Sequence, residues 1–360
     1  MKIFYDNIIF NLQRAGGISV YWYELINRML IDKHDTIFIE HGCSQNIFRK
    51  ELSIPENSII NEKKIPLKIL RYLPLKTEIG PNSIFHSSYY RISKQKDVLN
   101  IVTVHDFTYE YYVKGLAKEV HVRQKKNAIE KSDGIICVSE NTRKDLLKFY
   151  PNIDKNKISV IYNGVSDDFY RIEGCEGEFF NKYKNEKYIM FVGDRSDYKN
   201  FDIALKVVEQ LKDFKLVIVG GKHLSETEIK SIKQSINNRY EHLKGISNYE
   251  LNILYNNAFC LLYPSSYEGF GIPVIEAMKA GCPVVAMKKS SIPEVAGNAG
   301  ILVNEDKDYN TFIYEIKKLE DELYRNQLIV EGFNQAKKFS WQKTYEDTIK
   351  FYNKIYNYHS

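Results

Sequence analysis

Cys260-Leu261-Leu262-Tyr263-Pro264-Ser265-Ser266-Tyr267-Glu268-Gly269-Phe270-Gly271-Ile272-Pro273-Val274-Ile275-Glu276 reads as a strand, a glycine-bearing loop and the start of a helix. The apolar run 260–263 has the composition of a strand covered on both faces, and a second such run follows at 284–286. Gly271 can take backbone angles closed to other residues. Pro273 suits a first helical position, which puts Glu276 in the opening turn of the helix. A helix start offers free N–H groups and a positive dipole end, and both suit a phosphate. The segment thus presents an anion cradle with a carboxylate on either side, one for a sugar diol and one for a second polyol. On spacing alone, a loop glutamate and a helix-start glutamate placed for the dipole fit equally well.

The same alternation runs through the whole chain. Residues 2–5, 36–40, 83–85, 100–104, 134–138 and 158–161 read as strands, with helical patterns at 18–30 and 118–131 between them. The pattern restarts at 188–192, 215–219, 260–263, 284–286 and 300–303. Two successive sets argue for two doubly wound α/β domains, expected at 1–165 and 166–340. The break falls within 163–187, where Gly164, Gly174 and Gly177 accompany many charges. Ser340 precedes a last helix at 341–358.

A length of 360 residues, 44% apolar and 27% charged, suits a soluble globular protein of two domains. No apolar stretch approaches the ~20 residues of a membrane span. An acid at Asp6 interrupts what would be the apolar core of a leader peptide, so a cytoplasmic protein is expected. Cys43, Cys137, Cys175, Cys260 and Cys282 are scattered and without C-x-x-C spacing, which argues against a disulfide framework or a zinc site. Residues 1–165 hold 25 Lys+Arg against 18 Asp+Glu, a balance of +7, whereas the remainder carries −2. A basic first half suits an anionic partner such as a phospholipid surface or a phosphorylated acceptor.

In open α/β sheets ligands collect beyond the carboxyl ends of strands. After 188–192 comes Gly193-Asp194-Arg195-Ser196-Asp197-Tyr198-Lys199-Asn200, whose Arg195 and Lys199 can neutralise a diphosphate, unless the loop is a solvated surface turn. Gly16-Gly17 precedes a helix and lets backbone N–H groups approach phosphate, or else forms a plain tight turn. His105-Asp106 ends one strand and His86 another, positions open to catalytic or structural roles alike. The dinucleotide fingerprint G-x-G-x-x-G is absent from these loops, which counts against a nicotinamide enzyme.

Residues 261–303, including Pro283, Ser290-Ser291 and Pro293-Glu294, resemble glycosyltransferase family four residue by residue. Fainter matches extend over nearly the whole chain. These are retaining, nucleotide-sugar-dependent enzymes of GT-B fold, in which two Rossmann-like domains face each other across a cleft and the last helix crosses back to the first domain. The likeness is to bacterial surface-polysaccharide, mannosyltransferase-like members. It implies sugar contact for Glu268 and His105, ribose contact for Glu276, and pyrophosphate contact for Arg195 and Lys199. It also implies donor contacts for Gly17, Asn200, Ile246, Phe270, Gly271 and Ile272, with Gly16, His86 and Asp106 on the acceptor side. The partners implied are a nucleoside diphosphate sugar and a glycan or polyprenyl-linked acceptor. No nucleic acid, cofactor or metal is expected. The only D-x-D spacing, Asp306-Lys307-Asp308, reads as a solvated turn, and the neutralising task falls to Arg195, Lys199 and the helix start at Pro273.

The stretch Lys63 to Lys76 interleaves five cations with aliphatics and contains no acid. It suits an anionic membrane surface, or a basic loop packed on the first domain. The favoured activity is transfer of a hexosyl or deoxyhexosyl group, mannosyl first, to a surface glycan. A GT-B epimerase, a phosphorylase and a non-catalytic glycan- or lipid-binding protein are the alternatives.

Overall fold

The computed structural model describes residues 1–62, 65–174, 177–304 and 308–359. Lys63, Lys64, Cys175 and Asp306, singled out in the sequence, lie outside them. The chain divides into two compact units, Met1–Gly164 with Trp341–Ser360, and Val165–Ser340.

The first unit is built on seven parallel strands: β1 (Lys2–Asp6), β2 (Thr36–Glu40), β3 (Ile59–Asn61), β4 (Ser83–Ser87), β5 (Val98–Val104), β6 (Gly134–Cys137) and β7 (Ile158–Val160). Their order is β3-β2-β1-β4-β5-β6-β7. Central strands such as β4 and β6 are buried along their whole length; β6 reads as an unbroken apolar run, whereas β4 also buries Ser83, His86 and Ser87. The last helix, Trp341–His359, belongs to this unit and buries Trp341, Tyr345, Phe351, Tyr352 and Ile355. Gly134 makes room for it: a Cβ there would stand 2.9 Å from the Phe351 ring.

The second unit has six parallel strands: β8 (Tyr188–Val192), β9 (Lys215–Val219), β10 (Tyr240–Leu243), β11 (Cys260–Tyr263), β12 (Val284–Met287) and β13 (Ile301–Val303). Their order is β10-β9-β8-β11-β12-β13. Ile189, Phe191, Leu216, Ile218, Leu262 and Val285 from the sheet share one core with Ile203, Val207 and Ile232 from its helices. In each sheet the order of connection reverses beside the first strand, between β1 and β4 and between β8 and β11. The loops leaving the carboxyl ends of those strands border the crevice where such folds take their ligands.

The two doubly wound α/β units match the expected fold class. Two strands escape the sequence reading, β3 and β10, and both lie at a sheet edge. Among the described cysteines, Cys137, Cys260 and Cys282 are buried thiols and Cys43 is exposed. No described helix is long and apolar enough to cross a membrane.

Candidate active site

In the second unit the switch point between β8 and β11 gathers most of the residues singled out. The loop after β8 carries Arg195 and Lys199, and the loop after β11 carries Glu268. Lys199 Nζ lies 2.6 Å from Glu268 Oε1, both side chains only 12% exposed. Arg195 donates through Nε to Glu228 at 2.6 Å and through Nη2 to the Lys222 carbonyl at 2.8 Å. Its Nη1 is buried and has no hydrogen-bond partner. Gly221, at φ +71°, allows this approach, since a Cβ there would sit 2.7 Å from that nitrogen. The hydrogen bond from Arg195 draws the Glu228 pKa down to about 2. Asp194 and Asp197 are exposed, so the carboxylate that orients Arg195 is Glu228 and neither neighbour in sequence.

Asn200, a residue expected among the donor contacts, has its amide engaged within the protein. It holds a left-handed backbone (φ 49°) at the start of the helix Phe201–Gln210 and is buried. Its Nδ2 donates to the Pro264 carbonyl at 2.8 Å and to Ser266 Oγ at 2.7 Å. The amide therefore ties the Lys199 loop to the Glu268 loop and fixes the spacing of the charged pair.

The glutamate segment is braced from behind. Ser290 Oγ accepts from the Glu268 N–H at 2.8 Å, and Ser291 Oγ donates to the carbonyls of Glu268 (2.9 Å) and Phe270 (2.8 Å). Gly271 caps the helix Ile272–Lys279 at φ 98°, with Pro273 second in the helix rather than first. Phe270 is buried edge-on against Phe339, so its contribution at this loop is packing and backbone. Glu276 accepts from the Tyr255 hydroxyl at 3.0 Å, and burial lifts its pKa to about 7. Ile246 stands half-buried in the loop between β10 and the helix Asn248–Asn257.

In the first unit, Gly16 caps the helix Gly17–Ile31 in an extended conformation, and Ser19 Oγ donates to its carbonyl at 2.9 Å. His105 and Asp106 follow β5 and line a cavity of about 240 Å³ with Gln13, Ile18, Ser88 and Thr103. The His105 ring meets the edge of Tyr21 at 5.1 Å. Burial, helped by Lys125 and opposed by Asp106, pushes its pKa down to about 4, leaving a neutral imidazole.

His86 contradicts the expectation that it faces an acceptor. It is completely buried, with Nδ1 at 2.5 Å from the Tyr352 hydroxyl and Nε2 at 2.9 Å from Thr103 Oγ1. Both ring nitrogens are used, and burial pushes its pKa down to about 3. The residue is a core joint between β4, β5 and the last helix. Sequence reasoning missed Glu228 and the hydrogen bond from Tyr255 to Glu276. Ser225-x-x-Glu228 carries a visible capping-box signature, formed in the structure, but its partner Arg195 lies 33 positions away.

Two family models match the chain, one described as glycosyltransferase family 4 over residues 15–169 and one as glycosyl transferases group 1 over 177–335. The O-antigen chain mannosyltransferase RfbU of Salmonella typhimurium (strain LT2) is 32% identical over 230 residues; the match covers 62% of each chain, less than two thirds of that relative. The O-antigen chain mannosyltransferase B of Escherichia coli is 24% identical over 373 residues, 93% of this chain and 95% of that one. Sucrose-phosphate synthase from Thermosynechococcus elongatus superposes with a TM-score of 0.77 over 99% of both chains, and at 19% identity it shows the fold alone. Fold and sequence together define a glycosyltransferase-type protein of GT-B architecture. Within that class the chain belongs to the family 4, group 1 glycosyltransferases.

Proposed function

We propose that the protein is a retaining hexosyltransferase that moves a sugar, mannose first, from a nucleoside diphosphate to a glycan acceptor in surface-polysaccharide synthesis. The names of the two mannosyltransferase relatives support the sugar and the setting. The observation that carries the reading is the Lys199–Glu268 pair at 2.6 Å together with the unpartnered Nη1 of Arg195 in the loop that also carries Lys199. A diphosphate entering this crevice draws Lys199 toward its oxygens, fills the vacant donor of Arg195 and releases Glu268 for sugar hydroxyls. The N–H groups of the helix Ile272–Lys279 add a dipole end, and Glu276 receives the ribose diol.

Departure of the sugar leaves positive charge at the anomeric carbon and negative charge on the diphosphate. Fixed cations stabilise the second charge without reorganisation. On this reading Arg195 and Lys199 supply the neutralising charge and no metal is needed. The acceptor oxygen attacks from the face the phosphate leaves, and a phosphate oxygen takes the proton. Arg195→Ala and Lys199→Ala should each lower turnover about 100-fold or more. Near-normal rates in both would remove them from the mechanism. A thermal-shift screen with guanosine, uridine and deoxythymidine diphosphates identifies the base.

The reading also sets the acceptor at an anionic bilayer. Lys68, Ile69 and Tyr72 are exposed on one turn, and Tyr72 and Val120 line one cavity with Arg123. Substituting Gln at Lys63, Lys64 and Lys68, with Ile69→Ser, should reduce sedimentation with phosphatidylglycerol vesicles. Unchanged sedimentation would sink membrane docking while leaving the transfer chemistry standing.

A further inference from the structure

Past the carboxyl ends of β1, β4 and β5 the first unit holds two adjoining cavities that share Tyr90 as a wall. The first, about 240 Å³, is smaller than the roughly 300–1,000 Å³ typical of drug-sized ligands, which suits it to a single ring. His121 lines it, is 6% exposed, and has a buried Nδ1 with no hydrogen-bond partner. Its ring stacks on Tyr109 with centroids 3.8 Å apart. Burial, with Lys125 close by, pushes its pKa down to about 3, so it presents a neutral imidazole. Arg71 lies over the Tyr89 ring at 4.3 Å, and its Nε is also buried without a partner. Ile9, Leu12 and Ile18 add apolar wall, and His105 and Asp106 line the same cavity. Unmet polar groups among aromatic and aliphatic walls suit a ring with hydroxyls on its edge and C–H groups on its face.

The second cavity, about 430 Å³, differs in charge. Lys94, Arg123 and Lys131 line it together with Tyr72, and no described carboxylate does. Arg91 lines it too, but its guanidinium is held by Asp6 and Glu62. Three exposed cations without an acid among them suit a phosphate.

We propose that the two cavities form one site for a phosphorylated saccharide, the ring held by Tyr109, His121 and Arg71 and the phosphate by Lys94, Arg123 and Lys131. The inference rests on the transferase reading and deepens it: the acceptor is a sugar phosphate, free or esterified to a lipid.

Titration calorimetry with mannose 1-phosphate, mannose and inorganic phosphate tests it on the full chain. Mannose 1-phosphate should bind about tenfold more tightly than mannose. Replacing Lys94, Arg123 and Lys131 together by Gln should erase that advantage and leave the mannose titration unchanged. His121→Phe should weaken both sugars, and Arg195→Ala should alter neither. If His121→Phe fails to fold, the triple variant, at exposed positions, still decides. Undiminished binding in the triple variant overturns the proposal. Loss in Arg195→Ala alone also does so, since the ligand then sits in the second unit and the donor reading survives. Failure of every nucleoside diphosphate to bind, with the sugar-phosphate pattern intact, would instead remove the donor reading. Tighter binding of the octyl phosphodiester than of the free ester identifies a lipid-linked acceptor, equal binding a free one, and both support the site.

Discussion

Glu276 changes its charge near neutrality. Burial raises its pKa from 4.5 to about 7, and the hydrogen bond from Tyr255 only partly opposes this. A carboxyl raised on folding contributes stability that is fully present below its unfolded pKa and lost as pH rises through the folded value. Ligand-free protein therefore gives up some stability between pH 4.5 and about 7. A ribose diol donates hydrogen bonds and favours the ionised form, so nucleoside diphosphate affinity should increase as pH rises through about 7. Glu276→Gln should bind about tenfold more weakly at high pH and show no such rise. Calorimetry across this range checks both, and an unchanged pH profile in the variant would remove Glu276 from the ribose contact. The place of this residue one turn into a helix behind Gly271 was legible in the sequence. Its pKa was not, because Tyr255 reaches it from a different helix. His86 shows the same limit: a strand-end histidine looks free in sequence, and only Tyr352, 266 positions away, makes it a core residue.

Among the elements, the helix Ile272–Lys279 depends on one backbone angle. Gly271 holds φ 98°, and a Cβ there would approach Ile292 Cδ1 to 2.7 Å. Gly271→Ala should therefore cost about 1–3 kcal/mol. It should also weaken nucleotide binding, because on the proposed reading the N–H groups at this helix start meet the phosphate. Thermal unfolding and nucleotide titration measure the two effects, and a variant normal in both would show that the turn tolerates a side chain. The boundaries of central strands were largely readable, with 36–40, 188–192, 215–219 and 260–263 matching β2, β8, β9 and β11 residue for residue. Strands covered on both faces are largely apolar, so they stand out. The edge strands β3, Ile-Ile-Asn, and β10, Tyr-Glu-His-Leu, are partly exposed, and nothing in their short patterns separates them from loops.

Across the whole molecule each unit carries its own core, so damage to one can be told from damage to the other. The first unit holds a buried ionic network at the switch point: Arg91 reaches Asp6 at 3.2 Å and Glu62 at 2.9 Å, and His41 lies 2.6 Å from Asp6. Burial by itself would raise the Asp6 pKa, but Arg91 and then His41 bring it below the ordinary carboxylate value. Such a group contributes stability above its unfolded pKa of 3.8 that is lost as pH falls through the folded value. Removing Arg91 reverses the balance and leaves Asp6 and Glu62 as buried charges without their cation. Arg91→Leu should then cost the first unit about 3–5 kcal/mol at neutral pH. Asp6→Asn in the Arg91→Leu background should recover part of that loss, since it removes one uncompensated charge. In the single variant a nucleoside diphosphate should still raise the unfolding temperature of the second unit, where Arg195, Lys199 and Glu268 lie in the loops after β8 and β11. Calorimetric scans with and without nucleotide separate these outcomes. If Arg91→Leu also abolished the nucleotide response, the two cores would have to be treated as a single cooperative structure.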